Sequence, residues 1–395
     1  MRVLFLTHRL PYAPNKGDRV RAIQIIRALA PHVDLELVSL AHDRHELAQV
    51  ELVRQMGVRV TAFRTRPLRN YARALVSLAG TRPLTHALFD APGLSDWLKE
   101  ICVTRPPDVV LAFCSSMARF AVEPPLAAFP LVVDLVDVDS EKWAALAATA
   151  RWPMRYIYRR EAEYLSRFER YAAERAAVTL VVNERERALL RRLAPDAPIR
   201  VVPIAVDLAH LRPVSAPVEQ PRIVFCGVMS YQPNVEGVLW FVREVWPAIR
   251  AARPDARFIV VGADPVASVR RLAGADSAIE VTGTVPDVRE FLWGAAVSVA
   301  PLITARGLQN KVLEALAAGL PVVVTPAVVD GLPAEARAGC RLATTAGEFT
   351  AQTLSLLALS GVERRVIAAH ADMRALECPQ QLAGLVDILS ESVGA

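Results

Sequence analysis

The sequence lacks any apolar run long enough to cross a membrane. No stretch of its 395 residues reaches the roughly 18 uncharged residues that a spanning helix needs. The chain also enters a strand at once, at Arg2 to Thr7, without the charged and apolar regions of a signal peptide. We therefore expect a cytoplasmic protein.

Cysteine is scarce, and its spacing argues against a disulfide framework or a zinc site. The five cysteines include no CxxC pair, and four of them lie in or beside apolar segments: Cys102, Cys114, Cys226 and Cys340. Such positions favour buried free thiols. A GxGxxG motif is also missing after the first strand, which removes most of the support for a nicotinamide or flavin enzyme.

Lysine is rare in comparison with arginine. The chain has four lysines, at positions 16, 99, 142 and 311, against 42 arginines. A lysine that is kept in such a background indicates a place that needs a compact ammonium group rather than a planar guanidinium. Three of the four, Lys16, Lys142 and Lys311, lie in segments that lead from a loop into a helix. Chance is the alternative in so small a sample.

Charge is unevenly distributed, although the formal net charge is only +5. Residues 54–82 contain seven arginines and no acid, and residues 151–200 contain twelve arginines against seven acids. These patches suit a phosphate-bearing partner or an anionic membrane surface. Solvated helix faces are the alternative. Nucleic acid is not expected as a partner, because no recognisable binding motif accompanies the charge.

The order of the predicted elements indicates two consecutive α/β domains. Strands are predicted at residues 2–7, 34–39, 59–63, 108–112, 131–136, 179–182 and 200–203, and again at 222–227, 257–262, 279–283, 297–302, 321–325 and 340–343. Helical patterns separate most of them, which is typical of βαβ units and a parallel sheet. The predicted domains are residues 1–212 and 222–378, with a linker at 213–221 and a C-terminal helix within 379–395 that could pack back on the first domain.

In open parallel sheets, ligands bind beyond the carboxyl ends of the strands, so residues just after strands are the candidates. The first such loop contains His8, Lys16, Gly17 and Asp18 before a helix begins. Glycine and the start of a helix suit an anion or a closely approaching ligand. A tight turn with Asp18 as the helix cap is the alternative.

The second candidate segment is "DLVDVDSEKW", at residues 134–143. Its alternation predicts that Asp134, Asp137 and Asp139 share one face, where they would repel each other unless they bind a cation, a basic partner or sugar hydroxyls. Ser140 is predicted to cap the helix that carries Lys142. Capping alone would leave Asp134 and Asp137 unexplained.

The third segment is "ARGLQNKVLEALAAGLPVVVTP", at residues 305–326. Gly307 loosens the loop, a helix is predicted from about Asn310 to Ala318, and a buried strand follows. Free backbone N–H groups at the helix start, together with Arg306 and Lys311, would form a diphosphate site. Glu314, one turn further, could accept hydrogen bonds from a ribose diol. A surface pair of Lys311 and Glu314 is the alternative.

The run "GLQNKVLEALAAGLPVVVTP" resembles the donor-binding helix of GT-B retaining glycosyltransferases of the Glu-x7-Glu type. The resemblance extends to "PYAPNKGDR", "VVPIAVDLAHLRP" and "FCGVMSYQPNVEGVLWF", and details such as "DLVDVDSEKW" are similar to sugar transferases of bacterial exopolysaccharide and exosortase-associated systems. It implies two Rossmann-like doubly wound domains facing a central cleft, a nucleotide-sugar donor held mainly by the second domain, and an acceptor held mainly by the first. It also implies retention of anomeric configuration, without an obligatory metal or other cofactor.

The sequence departs from this pattern at two places. Glu314 matches the second Glu of the signature and takes over its role toward the ribose, but Arg306 occupies the position of the first. The loop "GVMSYQPN" also lacks the Arg and Lys that hold the diphosphate in many relatives. We expect Arg306 and Lys311 to supply that charge. Neutral donor contacts are expected from residues near the same helix starts, at Gly227, Ser230, Tyr231, Asn234, Gly307 and Asn310.

The leading hypothesis is a retaining transferase that moves a hexosyl unit from a nucleoside diphosphate sugar to a lipid-linked polysaccharide precursor at the inner face of the cell membrane. Asp137, Asp139 and Arg306 are its candidate catalytic residues, and His8, Lys16, Gly17, Asp18 and Lys142 are the candidates on the acceptor side. The alternatives are a nucleotide-sugar-binding assembly factor without activity and a nucleotide-sugar 2-epimerase.

Overall fold

The computed structural model describes residues 1–12, 17–305, 308–377 and 381–394. The chain divides into two compact units. The first contains Met1–Ala205 together with Gln381–Ala395, and the second contains Val206–Gln380. Each unit is built around its own parallel sheet.

The first unit contains a seven-stranded sheet with the order β3-β2-β1-β4-β5-β6-β7. Its strands are β1 (Arg2–Thr7), β2 (Asp34–Ala41), β3 (Arg59–Arg64), β4 (Val109–Phe113), β5 (Leu131–Val136), β6 (Val178–Val181) and β7 (Ile199–Val201). All neighbouring strands pair in parallel. The predicted strands of this half are confirmed to within two residues at each end.

Helices follow the strands of the first unit. They are α1 (Gly17–Leu29), α2 (Arg44–Ala48), α3 (Val50–Arg54), α4 (Pro67–Ser77), α5 (Leu84–Leu88), α6 (Leu94–Thr104), α7 (Ser115–Ala121), α8 (Asp139–Thr149), α9 (Met154–Arg175) and α10 (Glu184–Leu193). A short 3-10 helix spans Leu126–Ala128. Near the C-terminus, the helix Leu385–Val393 also belongs to this unit.

The second unit contains a six-stranded sheet with the order β10-β9-β8-β11-β12-β13. Its strands are β8 (Arg222–Cys226), β9 (Arg257–Val261), β10 (Ile279–Gly283), β11 (Val297–Ala300), β12 (Val322–Val324) and β13 (Cys340–Leu342). The strands again pair in parallel. The structure therefore confirms the prediction of two consecutive doubly wound sheets.

Helices cover this second sheet in the same way. They are α11 (Leu208–Leu211), α12 (Gln232–Trp240), α13 (Trp246–Ala252), α14 (Ala267–Ala275), α15 (Arg289–Trp293), α16 (Asn310–Ala317), α17 (Pro326–Val329), α18 (Ala334–Arg337), α19 (Ala346–Leu357) and α20 (Gly361–Ala368). A π-helical segment spans Phe241–Val245, and a 3-10 helix spans Met373–Leu376. We number the C-terminal helix of the first unit, Leu385–Val393, as α21.

Apolar strands buried on both faces explain this architecture. The strand "VVLAF" of β4 is entirely buried, as is "VVV" of β12, because helices cover both sides of each sheet. The four described cysteines are free thiols, of which Cys226 is buried. None of the described helices is both long and apolar enough to span a membrane.

Both sheets contain a point at which the strand order reverses. In the first sheet it lies between β1 and β4, and in the second between β8 and β11. At such a point the loops after the two central strands diverge and leave a crevice at the carboxyl edge, which is where open α/β sheets bind ligands. These two places position the candidate sites.

Candidate functional sites

The crevice in the second sheet is flanked by the helices α12 and α16. Helix α12 follows β8 through the loop that begins at Gly227, and α16 follows β11. Helix α16 buries Val312, Leu313 and Leu316 against the unit, which leaves Lys311 and Glu314 only partly buried on another side. The predicted helix start at Asn310 is confirmed, and Gly319 follows the helix with a φ of 76°.

Lys311 reaches across this crevice to the neighbouring helix. Its ammonium Nζ donates to Oδ1 of Asn234 at 2.5 Å. The same nitrogen lies 4.5 Å from the centroid of the Phe225 ring, a cation–π distance. Asn234 is itself fixed, because its Nδ2 donates to the carbonyl of Val228 at 2.9 Å. The structure thus holds an ammonium group at the carboxyl edge of the central strands.

Two glycines permit the close approach of these groups. A Cβ on Gly227 would lie 2.7 Å from Nδ2 of Asn234 and 3.1 Å from Nζ of Lys311. A Cβ on Gly262, which has a φ of 153°, would lie only 1.7 Å from the carbonyl oxygen of Gly227. Gly227 therefore belongs to the crevice itself, whereas Gly262 allows the loops after β8 and β9 to touch.

Burial changes the protonation of the groups in this crevice. It lowers the pKa of Lys311 to about 8, although the nearby charge of Glu314 opposes the change. Burial also raises the pKa of Glu314, against the charge of Lys311, and it raises the pKa of the Cys226 thiol to about 12. Lys311 can therefore gain a proton at a pH of about 8 or above when an anion approaches it.

The other predicted donor contacts lie around the same two helix starts. Ser230 and Tyr231 are exposed just before α12, and the carbonyl of Tyr231 accepts from the N–H of Asn234 at 3.0 Å. Oδ1 of Asn310 is buried and has no hydrogen-bond partner within the described ranges. The predictions for Arg306 and Gly307 lie outside the described residues.

The crevice of the first sheet contains His8 at the end of β1. Its ring stacks on Phe113 with centroids 5.9 Å apart, and Nε2 lies 3.3 Å from Oδ2 of Asp18. Burial alone would raise the pKa of Asp18, but the hydrogen bond and charge of His8 and the charge of Arg9 outweigh it and hold that pKa well below the usual range. Helix α1 begins at Gly17, and the prediction for Lys16 lies outside the described residues.

The prediction that Asp134, Asp137 and Asp139 share one face is wrong. The side chain of Asp134 is fully buried and forms a two-pronged ion pair with Arg21, at 2.8 and 3.2 Å. The chain then leaves the extended conformation at Val136, whose φ is 66°. Asp134 is therefore a structural residue of the core.

Asp137 and Asp139 instead meet around one lysine. Nζ of Lys142 lies 3.0 Å from Asp137 and 2.9 Å from Asp139. The hydroxyl of Ser115, the first residue of α7, donates to the second oxygen of Asp139 at 3.3 Å. Burial alone would lower the pKa of Lys142, but the two carboxylates raise it well above its ordinary value. The positive charge of Lys142 thus offsets part of the repulsion between Asp137 and Asp139 that the sequence predicts.

The prediction that Ser140 caps helix α8 is also wrong. Val138 precedes the helix, and no side chain caps it. The hydroxyl of Ser140 donates instead to Glu169 of α9 at 2.5 Å. Glu169 is fully buried, and burial together with the charge of Asp139 raises its pKa to about 8. The helix start is held from the side by α9 rather than by its own first residues.

Sequence reasoning missed several residues of both sites. Phe225 reads as an ordinary apolar strand residue, yet its ring lies under Lys311. Its place two residues before Gly227, at the end of a central strand, was the available signal. Ser115 and Glu169 gave no comparable signal, because each meets its partner from a different helix.

Comparison with known proteins identifies the class. Residues 220–358 match the family model described as "Glycosyl transferases group 1", which covers most of the second unit. The fold, with its two parallel-sheet Rossmann-like units, is that of GT-B proteins. Together the match and the fold indicate a glycosyltransferase. No curated protein matches the chain.

Several solved structures share the fold over the whole chain. The sucrose-phosphate synthase of Thermosynechococcus elongatus has a TM-score of 0.72 and 17% identity, with 100% of this chain and 99% of that chain covered. Anabaena HepE, solved with UDP and glucose, has a TM-score of 0.68 and 14% identity, with coverage of 99% and 100%. WaaG, a glycosyltransferase involved in lipopolysaccharide biosynthesis, has a TM-score of 0.65 and 17% identity, with coverage of 97% and 99%.

Proposed function

We propose that the chain is a retaining glycosyltransferase that moves a hexosyl unit from a nucleoside diphosphate sugar to a lipid-linked exopolysaccharide precursor. The observation that carries the donor half of this proposal is the ammonium of Lys311, held by Asn234 at the switch point of the second sheet. HepE, with the same fold, was solved with UDP-glucose, which supports a UDP-sugar as the first donor to test.

The diphosphate would be held at the entrance of α16. There the positive end of the helix dipole and the ammonium of Lys311 present positive charge to the same volume. Phosphate would replace Asn234 as the acceptor of the Lys311 hydrogen bond, and it would stabilise the protonated form of a lysine whose pKa is about 8. Glu314 would accept hydrogen bonds from the ribose, as its resemblance to the family signature implies. Arg306 is proposed to add a second cation.

The same positive groups would stabilise the leaving diphosphate as its bond to the sugar breaks. We therefore propose that no metal ion is obligatory. In the first unit, Asp137 and Asp139 would orient the reacting hydroxyl of the acceptor, with Lys142 setting their position. His8, just after β1, and Asp18, in the first turn of α1, would contact the acceptor. The acceptor is proposed to be reached at the inner face of the cell membrane.

Calorimetric titration with UDP, GDP, ADP and dTDP tests the donor site. We expect selective binding of one nucleotide, weakened by about 10- to 150-fold in Lys311→Ala, which corresponds to the ~1.5 to 3 kcal/mol of a charged hydrogen bond. Glu314→Ala should also weaken binding. Lys99→Ala, on an exposed lysine of α6, is the matched control and should bind normally. Unchanged affinity in Lys311→Ala would contradict the site.

Incubation of the purified protein with the selected nucleotide sugar tests the reaction. Slow hydrolysis without acceptor and transfer with a lipid-linked acceptor are expected, and the NMR coupling constant of the product should show the anomeric configuration of the donor. An inverted product would refute retention. Formation of an epimerised nucleotide sugar would support the 2-epimerase instead, and binding without any turnover would support the non-catalytic factor.

A further inference from the structure

Helix α4 of the first unit exposes nearly its whole surface. Of the eleven residues Pro67–Ser77, only Asn70 and Ala74 are buried. On the opposite side of the helix, apolar side chains repeat at helical spacing and are largely exposed: Leu68 at 88%, Tyr71 at 63%, Leu75 at 67% and Val76 at 78%. A helix on the surface of a monomer ordinarily presents polar residues on that side. The apolar stripe therefore requires a partner.

The charges around this stripe are positive and only partly compensated. Of the seven arginines in residues 54–82, Arg54, Arg59 and Arg73 form ion pairs with carboxylates of the same unit. The other four, Arg64, Arg66, Arg69 and Arg82, form no ion pair within the part of the chain that the structure describes. Arg66 and Arg69 are on or beside α4 itself. The stripe thus lies next to uncompensated positive charge.

A second exposed group lies at the start of α9. Trp152 is 84% exposed, Tyr156 is 64% exposed and Met154 is 41% exposed. Residues 151–160 contain four arginines and no acid. Trp and Tyr are the side chains that favour the boundary between lipid and water.

Arg160 connects these two groups. Its guanidinium donates to the carbonyls of Ser77 and Gly80, each at 2.5 Å, and of Leu78 at 3.2 Å, where α4 ends. These contacts engage carbonyls at the helix end and fix α4 to α9. Tyr156 lies one turn before Arg160 on the same side of α9. The end of α4 and the start of α9 are thus neighbours in the first unit.

We propose that this surface, residues 66–76 with residues 151–156, docks onto an anionic lipid bilayer. The apolar stripe of α4 and the rings of Trp152 and Tyr156 enter the headgroup boundary, while the uncompensated arginines contact anionic headgroups. We choose an anionic bilayer as the partner because its charge complements the cations around the exposed apolar residues. A binding surface for another protein would not need apolar residues surrounded only by positive charge. The inference deepens the proposed function by placing the first unit at the membrane, but it requires neither donor nor acceptor binding.

Co-sedimentation of the full chain with vesicles tests the proposal. Vesicles of phosphatidylcholine with about 30% phosphatidylglycerol should bind the chain, and phosphatidylcholine alone should bind it at least tenfold more weakly. Raising NaCl from about 0.05 to about 0.5 M should reduce binding strongly, because the charges are exposed. Equal binding to both kinds of vesicle, or binding to neither, would overturn the proposal. Neither result would affect the nucleotide titration. Failure of the membrane-docking proposal can therefore be distinguished from failure of the proposed function.

Paired variants separate the two contributions. Leu68→Ser with Leu75→Ser should weaken binding by about tenfold or more, because two leucines no longer enter the boundary. Arg66→Gln with Arg69→Gln should weaken it by about 30-fold, or about fivefold for each charge. The matched controls are on the second unit: Val362→Ser with Val366→Ser for exposed apolar residues, and Arg270→Gln with Arg271→Gln for exposed charge. Equal losses in a control pair and its test pair would overturn the proposal.

Two further measurements check the mode of contact. Brominated lipid should quench the fluorescence of the bound wild type more than that of Trp152→Phe, and equal quenching would contradict insertion at this surface. Sedimentation velocity without lipid should show that Leu68→Ser with Leu75→Ser leaves the oligomeric state unchanged. If these substitutions dissociate a dimer, the stripe is an interface between copies of the chain and the proposal is wrong.

Discussion

Nζ of Lys311 lies 2.5 Å from Oδ1 of Asn234, and this contact joins the first turns of the two helices that flank the switch point of the second sheet. Neither residue is distinctive by itself. Together they hold an ammonium of lowered pKa over the Phe225 ring, where a carboxylate partner would have raised the pKa instead. A phosphate that enters this place meets a group that can still take up a proton.

This relationship predicts proton uptake on nucleotide binding. At pH 8, near the pKa of Lys311, about half of the free protein carries the proton, whereas a bound phosphate would hold it fully. We expect uptake of about half a proton at pH 8 and nearly one at pH 9, with affinity falling as the pH rises above 8. Calorimetry in buffers of different ionisation enthalpy measures this. Lys311→Arg stays charged throughout, and equal uptake in wild type and this variant would refute the assignment.

Gly227→Ala should disturb the site without disturbing the fold. The new Cβ would lie 2.7 Å from Nδ2 of Asn234, so the amide and the ammonium beside it must shift. We expect nucleotide affinity to fall by about tenfold or more, while the melting temperature changes by only a few degrees. Gly274→Ala, where nothing lies within 4 Å of the new Cβ, is the matched control and should bind normally. Equal affinities in both variants would place the nucleotide elsewhere.

The parts of the fold that local patterns determine could be predicted from the sequence. The strands and the start of α16 follow from apolar runs, glycine and proline, and the structure confirms them. The role of Asp134 could not be predicted, because its partner Arg21 is 113 residues away and only the tertiary fold brings the two together. Strict alternation in a strand already places Asp134 and Asp137, three residues apart, on opposite faces, and the positive φ of Val136 ends the regular strand between them. Short-range pattern fails where one residue leaves the regular conformation.

Removal of the Asp134 carboxylate should destabilise the first unit. Asp134→Ala leaves the buried guanidinium of Arg21 without its partner, which costs about 3–5 kcal/mol in such pairs. Denaturant unfolding measures the loss. Asp96→Ala, in an exposed ion pair with Lys99, is the control and should change stability by less than about 1 kcal/mol. If Asp134→Ala keeps its stability but loses activity, Asp134 has a functional rather than a structural role.

Asp137→Asn should reduce turnover without reducing donor affinity, if the proposed function holds. The amide keeps the size of the side chain but loses the negative charge that faces Lys142. We expect kcat to fall by about 100-fold, a typical effect for a group that positions or activates a hydroxyl. Nucleotide titration and steady-state kinetics on the same preparation separate the two effects. Asp96→Asn controls for a lost surface charge, and a normal kcat in Asp137→Asn would remove this residue from the reaction.

The candidate site could be predicted only in its outline. The rarity of lysine pointed to Lys142 and Lys311 before any contact was known, and the structure places each in a charged or polar cluster. The identity of their partners depends on helix packing. Glu169 is an example: it meets Ser140 from α9, and no spacing in the sequence relates the two. Residue type was therefore a better guide than residue pairing.

Glu169 should make the stability of the protein depend on pH. Its pKa is about 8 in the folded chain, against 4.5 for an ordinary glutamate, because burial and the charge of Asp139 disfavour the carboxylate. Between about pH 5 and pH 8 the folded chain keeps a proton that the unfolded chain has released. Stability should therefore fall as the pH rises through this window, by up to about 1.4 kcal/mol per pH unit.

Glu169→Gln tests this dependence, because the amide stays neutral and its single oxygen can still accept one of the two hydrogen bonds from Ser140. Melting temperatures measured at about pH 5.5, 6.5 and 7.5 should fall less steeply with pH in the variant than in the wild type. Glu163→Gln, on the exposed side of α9, is the matched control and should keep the wild-type slope. If wild type and Glu169→Gln show the same slope, the carboxyl of Glu169 is ionised in the folded protein, and the two hydrogen bonds from Ser140 stabilise the carboxylate rather than the acid.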